Sequence, residues 1–222
     1  MTATNTPPDS FLPLPGIDEP VLPDFRFETA YWQQGHVHVA GVDEAGRGPL
    51  AGPVVAAAVI LAPDFAADGL NDSKKLTAPK RERLHDEIME AALAVSVTSL
   101  CAESIDGSNI LRASLEAMRQ AVAGLSVAAD SALIDGRDVP PGLHLRAAPR
   151  AVIRGDSLSL SIAAASVIAK VTRDRMMTRL GPHHPHYGLE RHMGYGSKAH
   201  REAIGSHGGV RRVHRFTFAP LK

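Results

Sequence analysis

Short apolar segments alternate with longer amphipathic segments along most of the chain, and this order is typical of an α/β fold. One segment, residues 53–61 with the sequence PVVAAAVIL, is almost entirely apolar, so we expect a strand that is buried on both faces. The predicted strands are residues 37–42, 53–61, 93–101, 131–134 and 151–153. The predicted helices are residues 25–34, 77–92 with Thr77 as the N-cap, 110–122 and 159–180.

The helix predicted over residues 110–122 has both a capping residue and an apolar face. Either Ser108 or Asn109 can cap its first turn, because both side chains accept hydrogen bonds from backbone amides. Leu111, Leu115 and Met118 recur at helical spacing, and we expect them to form the face that packs on the sheet.

The two ends of the chain differ from its middle. Residues 1–25 contain six prolines and few aromatic residues, which predicts a flexible tail. Residues 26–222 are predicted to form a single domain. Within it, residues 181–222 are rich in histidine and arginine and are predicted to form a small helical cap beside the sheet.

Charge is distributed unevenly, although the formal net charge is zero. Residues 1–149 carry 11 Lys and Arg against 20 Asp and Glu, whereas residues 150–222 carry 13 against 4. Seven of the eleven histidines also lie in the second part. This asymmetry predicts a polyanion-binding face on the C-terminal part of the chain, although some of these residues will simply be solvated.

Cysteine content and apolar run lengths bear on the class of protein. The single cysteine, Cys101, excludes an intrachain disulfide and a cysteine-based zinc site, and we expect it to fill the core at a strand end. No apolar run approaches the roughly 20 residues that span a bilayer, and the first residues lack the pattern of a secretory signal. A cytoplasmic protein without membrane contact is therefore expected.

The most informative polar stretch is residues 41–49, GVDEAGRGP, which follows the first predicted strand. A turn that begins at Glu44 would let Asp43 and Glu44 reach one metal-binding region, although neighbours in a strand point to opposite faces. Gly46 and Gly48 leave the backbone around Arg47 open to a phosphate. Taken alone, the stretch is equally compatible with a polar turn that carries a solvated acid pair.

Several short motifs, taken together, extend this observation. They are DEAGRGPLAGP at 43–53, DSKKL at 72–76, IDG at 134–136, GDS at 155–157, IAAAS at 162–166, GYG at 194–196 and HRFTF at 214–218. In this order they resemble the type 2 ribonucleases H, the family of bacterial ribonuclease HII, from about residue 30 to the end. One departure is Arg154, where the family pattern leads us to expect lysine, and the positive charge is kept.

The resemblance implies a fold and an activity. The fold is a ribonuclease-H-like mixed sheet flanked by helices, with a small C-terminal helical cap. The activity is hydrolysis of RNA in RNA–DNA hybrids and cleavage 5′ of single ribonucleotides in duplex DNA, which leaves a 3′-hydroxyl and a 5′-phosphate. Two divalent ions, Mg²⁺ or Mn²⁺, suit phosphodiester hydrolysis at a carboxylate site.

The catalytic acids can be sought at the ends of strands. Asp43 and Asp135 each end an apolar strand, and if those strands are parallel neighbours both acids enter one crevice. A further acid is Asp156 or Asp174, which lie 18 residues or about 27 Å apart along a helix. Asp174 sits between two arginines and is better explained by ion pairing.

The resemblance agrees with the choice of Asp156, so the predicted catalytic and metal-binding set is Asp43, Glu44, Asp135 and Asp156. Asp135 and Asp156 could also have purely structural roles. Asp135 could be a turn former before Gly136, and Asp156 a helix cap, although Ser157 or Ser159 could serve as the cap instead.

The substrate-binding prediction covers Gly46, Arg47, Gly48, Tyr195, Lys74 and Lys75. The resemblance implies that Tyr195, with the Gly-Arg-Gly segment, senses the junction between a ribonucleotide and the following deoxynucleotide. By residue type alone, Tyr195 could be a core residue between turns, and the two lysines could be solvated. His183, His184 and His186 lack a supporting acid, so we expect a basic loop near the substrate and not a metal site.

Two rival functions remain open at this point. A nuclease of the same fold could act on branched DNA, or the chain could be a non-catalytic nucleic-acid-binding module. A binding module has no need for acids near a phosphate, because they repel it unless metal is bound. We expect a monomer whose partners are RNA–DNA hybrid and ribonucleotide-containing duplex DNA.

Overall fold

The computed structural model describes residues 22–66 and 68–222. The strands are β1 (Val39–Ala45), β2 (Val54–Ile60), β3 (Ala94–Leu100), β4 (Ser131–Asp135) and β5 (Arg150–Val152). The helices are α1 (Arg26–Trp32), α2 (Ala78–Ala91), α3 (Ala102–Asp106), α4 (Ile110–Ala123), α5 (Leu160–Leu180), α6 (Leu189–His192) and α7 (Lys198–His207). Short 3-10 turns cover Ser73–Lys75, Gly155–Ser157 and Gly181–His183.

The five strands form one mixed sheet in the order β3-β2-β1-β4-β5. β1 pairs antiparallel with β2, and β2 pairs antiparallel with β3. β1 pairs parallel with β4, and β4 pairs parallel with β5. The predicted mixed sheet is therefore confirmed, and the parallel pair places the carboxyl ends of β1 and β4 side by side.

Helices cover both faces of this sheet. Alternate residues of β2, such as Ala57 and Val59, pack against α2 and α5, whereas Ala56 and Ala58 pack with α4. All seven residues of β2 are buried, which confirms the prediction from its continuous apolar sequence.

The long helix α5 approaches the sheet closely because small residues meet at the contact. A Cβ atom at Gly41 in β1 would overlap the backbone of Ser161, so only glycine is tolerated there. Ala163, Ala164 and Ala165 are fully buried on the same helix. This packing fixes α5, and the turn that precedes it, relative to β1.

The capping predictions are resolved by side-chain contacts. Asn109, and not Ser108, accepts a hydrogen bond from the Arg112 amide at 2.9 Å at the start of α4. Ser159 accepts from the Ile162 amide at 3.2 Å at the start of α5. Thr77 occupies the N-cap of α2 but makes no capping bond through its side chain.

Three local predictions are wrong. β1 extends to Ala45, three residues beyond the predicted end, because Asp43, Glu44 and Ala45 continue to pair with β2. On the predicted apolar face of α4, Met118 is buried and Leu115 packs against the same core cluster, as expected, but Leu111 is 42% exposed, and Ala113 and Ala117 are buried on the helix as well.

Cys101 is also exposed, since it precedes the unpredicted helix α3 instead of ending a strand inside the core. Its thiol lies 3.3 Å from the hydroxyl of Ser104. The expected role of this cysteine as core filler is therefore wrong.

The C-terminal part is helical, as predicted. Helices α6 and α7 pack around a cluster that includes Leu50, Met177, Leu189 and Ile204, which joins this part to the end of α5. In the part of the chain that the structure describes, no helix is long and apolar enough to cross a bilayer.

Most of the predicted N-terminal tail, residues 1–21, lies outside the described residues. Within the predicted tail, Asp24 already bonds to the domain. Its amide donates to the Leu158 carbonyl at 3.3 Å, and its carbonyl accepts from the Leu160 amide at 3.0 Å.

Candidate active site

Three carboxylates converge at the carboxyl ends of the central parallel strands. The β1–β4 register pairs Val42 with Ile134, so Asp43 and Asp135 leave their strands side by side. Asp156 lies in the 3-10 turn after β5. One oxygen from each of these three acids lies within 4.8 Å of the others. The expected meeting of Asp43 with Asp135 through parallel pairing is thus present in the structure.

Backbone amides orient two of these carboxylates. The Glu44 amide donates to Oδ1 of Asp43 at 2.7 Å, and the Gly155 amide donates to Oδ1 of Asp135 at 2.7 Å. The second bond ties the end of β4 to the turn that carries Asp156. A Cβ atom at Gly155 would lie 3.3 Å from that Asp135 oxygen and 2.5 Å from Cδ1 of Ile162, so glycine allows the turn to approach.

The electrostatics of the cluster indicate a site for a cation. Burial raises the pKa of Asp43 well above its ordinary value, and the nearby Glu44 and Asp135 carboxylates raise it further. Burial and then Asp135 also raise the pKa of Asp156. A hard divalent ion would reduce the repulsion between these converging carboxylate oxygens. The three aspartates therefore fit Mg²⁺ or Mn²⁺ by donor type and charge.

Glu44 stands apart from this group of three. Because β1 continues through Ala45, no turn begins at Glu44, and the predicted route for bringing both acids to one point is wrong. The Glu44 carboxylate instead accepts a bond from Nη1 of Arg47 at 3.2 Å. Burial raises its pKa to about 7 against the opposing effect of Arg47. Its role as a metal ligand stays a prediction.

Asp174, Lys74 and Lys75 each make a polar contact in the structure. Asp174 accepts a hydrogen bond from Nζ of Lys170 at 2.8 Å, so it is ion-paired as expected. Lys74 places Nζ 3.5 Å from Oδ2 of Asp156, and Lys75 donates to the Ser157 hydroxyl at 3.1 Å.

Lys74 belongs to the same electrostatic cluster as the aspartates. Burial lowers the pKa of Lys74, but the nearby carboxylates of Asp43, Asp156, Asp72 and Asp135 together outweigh it, so the net shift is upward. Both lysines line an open cleft of about 670 Å³ together with Asp135 and Asp156.

The Gly-Arg-Gly segment and Tyr195 lie beside each other. A Cβ atom at Gly48 would be 3.7 Å from Cε1 of Tyr195, which is 47% exposed. The structure therefore excludes a fully buried tyrosine. Glu44, Arg47 and Asp135 line a common depression, so Asp135 borders both the lysine-lined cleft and the Gly-Arg-Gly segment.

Two buried arginines were not identified from the sequence. Arg215 donates to the carbonyls of Gly46 and Arg47, and Arg173 donates to those of Ala51 and Met193. Arg215 lies in the closing HRFTF motif, which was the available signal, but residue type alone favoured a solvated or phosphate-binding arginine.

The histidines of the C-terminal part also form contacts that the sequence did not predict. His200 and His214 are fully buried, and their Nε2 atoms lie 3.1 Å apart. Nδ1 of His200 lies 2.8 Å from the carbonyl oxygen of Tyr195. Of the histidines predicted to form a basic loop, His186 stacks on His207 with ring centres 4.5 Å apart.

A mixed sheet of this order, flanked by helices, is the ribonuclease H fold, and the carboxylate cluster at the ends of its central parallel strands could hold a metal ion. The family described as Ribonuclease HII matches residues 40–220. Ribonuclease HII of Chelativorans sp. (strain BNC1) is 61% identical over 208 residues, which cover 94% of this chain and 81% of that protein.

Two further comparisons agree. Ribonuclease HII of Bartonella bacilliformis is 57% identical and covers 92% of this chain and 91% of its own. The crystal structure of ribonuclease H2 from Pyrococcus horikoshii OT3 superposes with a TM-score of 0.71 at 28% identity, covering 82% of this chain and 94% of that one. The chain belongs to the ribonuclease HII family and is a hydrolytic, divalent-metal-dependent ribonuclease H.

Proposed function

We propose that this ribonuclease hydrolyses the RNA strand of RNA–DNA hybrids and also cuts 5′ of single ribonucleotides embedded in duplex DNA. The products would carry a 3′-hydroxyl and a 5′-phosphate. One observation carries the proposal. Asp135 belongs to the aspartate cluster and also borders the depression that contains Arg47, whose neighbour Gly48 lies beside the ring of Tyr195. A phosphate at the acids would therefore place its sugar near these candidate sensors.

The metal-binding assignment follows from the donor set. Asp43, Asp135 and Asp156, with Glu44 as the fourth acid, would hold Mg²⁺ or Mn²⁺. When bound, two such ions supply an activated water and stabilise the charge on the leaving oxygen. No side-chain nucleophile is required for hydrolysis by water.

The chain's own groups contribute orientation and charge balance. The Glu44 and Gly155 amides hold Asp43 and Asp135 in position, so little reorganisation is needed when a ligand arrives. Lys74 lies close enough to Asp156 to offset part of the negative charge that would repel a phosphate. Lys75 extends this positive charge along the same cleft.

Recognition of the ribonucleotide would rest on the 2′-hydroxyl, which distinguishes RNA from DNA. The backbone of Gly46, Arg47 and Gly48 offers polar groups without side-chain obstruction at the glycines, and the Arg47 guanidinium can hold the adjacent phosphate. The exposed ring of Tyr195 can stack on a sugar or base beside Gly48.

The proposal is tested by cleavage of three labelled duplexes with one sequence: DNA with a single ribonucleotide, a uniform RNA–DNA hybrid, and DNA alone. Each is incubated with Mg²⁺, Mn²⁺ or a chelator. We expect cleavage of the first two only, with either metal and never with the chelator. Asp43→Asn should abolish cleavage, whereas Asp174→Asn, which alters an ion pair in α5, should leave it intact.

Other results would contradict the proposal. Metal-dependent cleavage of the hybrid, with none of the single-ribonucleotide duplex, would limit the activity to hybrids. Cleavage of branched DNA by a Tyr195→Ala variant, at the wild-type rate, would favour the rival nuclease. The cytoplasmic location and the monomeric state stay predictions, to be checked by fractionation and by light scattering.

A further inference from the structure

Two arginines lie in the interior without a carboxylate partner. Arg215 is 0% exposed and Arg173 is 1% exposed. Among the described residues, no carboxylate oxygen lies within 4.0 Å of either guanidinium. Their hydrogen bonds go instead to backbone carbonyls of the two segments that carry the candidate substrate-reading residues.

Arg215 binds the Gly-Arg-Gly segment on the side that faces the protein interior. Nη2 donates to the Gly46 carbonyl at 2.6 Å, and Nη1 donates to the Arg47 carbonyl at 2.9 Å. Nε and Nη2 both donate to the Gly52 carbonyl, at 3.0 and 2.9 Å, where the segment turns back. One guanidinium therefore links Gly46 and Gly52, the first and last residues of this loop.

These bonds determine where the amides of the segment point. In a planar trans peptide the C=O and the following N–H point in opposite directions. With the Gly46 and Arg47 carbonyls turned inward to Arg215, the Arg47 and Gly48 amides must point outward. Neither amide donates to another protein group within the described residues, so both are available to an anionic oxygen or a hydroxyl.

Arg173 connects this segment to the one that carries Tyr195. It donates to the Pro53 carbonyl at 3.0 Å, to the Ala51 carbonyl at 3.1 Å and to the Met193 carbonyl at 3.0 Å. The Gly194 carbonyl strengthens the connection by accepting from the Leu50 amide at 2.9 Å.

Close packing around Arg173 fixes this connection further. A Cβ atom at Gly46 would overlap Nε of Arg173, so the glycine is required for this contact. Gly46 has φ = +98°, a conformation that L side chains rarely adopt. The conformation of the Gly-Arg-Gly segment and the position of Arg173 therefore depend on each other.

The two arginines have opposing effects on stability. Burying a cation without an opposite charge is costly, whereas their donors satisfy backbone carbonyls that an apolar side chain would leave unpaired. Burial, followed by the nearby Arg173, lowers the pKa of Arg215 to about 9, so the guanidinium is still charged at neutral pH. Both charges lie beneath the surface at which we place a substrate phosphate, where their field is favourable.

We propose that Arg215 and Arg173 are positioning residues for substrate discrimination: Arg215 turns the Arg47 and Gly48 amides toward the nucleic acid, and Arg173 sets the distance between these amides and Tyr195. This inference rests on the proposed function, because it assigns the recognition of the ribonucleotide–deoxynucleotide junction to these two segments. Neither arginine touches the substrate.

The test compares kcat/KM for the single-ribonucleotide duplex with kcat/KM for the uniform hybrid. The ratio isolates junction recognition and does not depend on the fraction of active enzyme. The variants are Arg215→Lys, which keeps the charge but not the fork of donors, and Arg173→Gln, which keeps two donors without the charge. Arg211→Lys is the matched control, because Arg211 is exposed and pairs with Glu103 at 2.8 Å.

We expect the ratio to fall about tenfold or more in Arg215→Lys, which corresponds to the loss of one or two charge-assisted hydrogen bonds. A smaller fall is expected in Arg173→Gln, and none in Arg211→Lys. Hydrogen exchange should show faster exchange in residues 46–53 and 193–196 of both variants, with α4 and α5 unchanged.

Each other outcome overturns the inference. If both substrates lose activity by the same factor, the arginines only support the fold. The same conclusion holds if both variants fail to fold, as judged by circular dichroism. A wild-type protein that does not cut the single-ribonucleotide duplex would refute the proposed function itself, whereas wild-type cleavage with an unchanged ratio in the variants would refute this inference alone.

Discussion

Neutralising Asp43 should stabilise the protein in the absence of metal. The substitution Asp43→Asn keeps an oxygen that can accept the Glu44 amide, so only the charge is removed. The Asp43 carboxylate lies within 4.8 Å of those of Asp135 and Asp156. At an effective dielectric constant near 20, each such pair repels by about 3 kcal/mol before screening and relaxation.

The sign of the effect follows from the direction of the pKa shift. The pKa of Asp43 in the folded protein is raised, first by burial and then by neighbouring acids. At pH values above the unfolded pKa the ionised group therefore destabilises the fold. After allowance for Lys74, for solvent and for relaxation, we expect Asp43→Asn to add about 1–3 kcal/mol to the free energy of unfolding at pH 7.5.

The assay is thermal unfolding in chelator and then in Mn²⁺ or Mg²⁺. In chelator, Asp43→Asn should melt about 3–10 °C above the wild type, given the size of the protein. Added metal should raise the melting temperature of the wild type more than that of the variant, because only the wild type has the full ligand set. In the control Asp174→Asn, the response to metal should match that of the wild type.

Two results would refute this reasoning. A variant that is less stable than the wild type in chelator would show that the Asp43 charge is favourably placed, so the acids would not form a mutually repelling cluster. An equal response of both proteins to metal would show that Asp43 is not part of the metal site.

Two further predictions concern the scaffold. Gly41→Ala should lower the free energy of unfolding, measured by chemical denaturation, by about 2–4 kcal/mol, because the added Cβ would overlap the Ser161 backbone. The control Gly205→Ala, which has open space around it in α7, should be neutral or slightly stabilising. Equal effects of the two substitutions would contradict the close contact of α5 with β1. The contribution of His214 to stability, measured as the difference between the wild type and His214→Gln, should also fall by up to about 3 kcal/mol as pH drops from about 6.5 toward 4, because burial and then His200 lower the pKa of His214 to about 4 and the unfolded chain takes up the proton first. A His214→Gln variant with an unchanged pH profile would exclude His214 as the cause.

The strand pattern allowed much of the fold to be predicted. Residues 53–61 were predicted to form a doubly buried strand from their apolar run alone, and β2 is such a strand. Asp43 and Asp135 were expected to meet if their strands were parallel neighbours, and the register confirms this pairing. Strand boundaries were less accurate, because the pairing of Glu44 and Ala45 with β2 depends on tertiary contacts that local polarity does not reveal.

Residues whose role depends on tertiary structure could not be predicted. Arg173 and Arg215 have the residue type of a surface cation, yet they are buried by segments more than 100 positions away in the chain. The carbonyls that they bind carry no sequence signature. Leu111 shows the opposite error, because helical spacing correctly placed Leu115 and Met118 against the core but could not show that Leu111, one turn earlier, is exposed.

The chemical ends of the product test the central claim most directly. A labelled DNA duplex with one ribonucleotide is cut in Mg²⁺, and the upstream fragment is analysed by mass spectrometry and by extension with a polymerase. Attack by water at the aspartate cluster predicts an extendable 3′-hydroxyl on the nucleotide 5′ of the ribonucleotide, and a 5′-phosphate on the ribonucleotide itself. A 2′,3′-cyclic phosphate with a 5′-hydroxyl partner would show that the 2′-hydroxyl was the nucleophile, which would contradict the account.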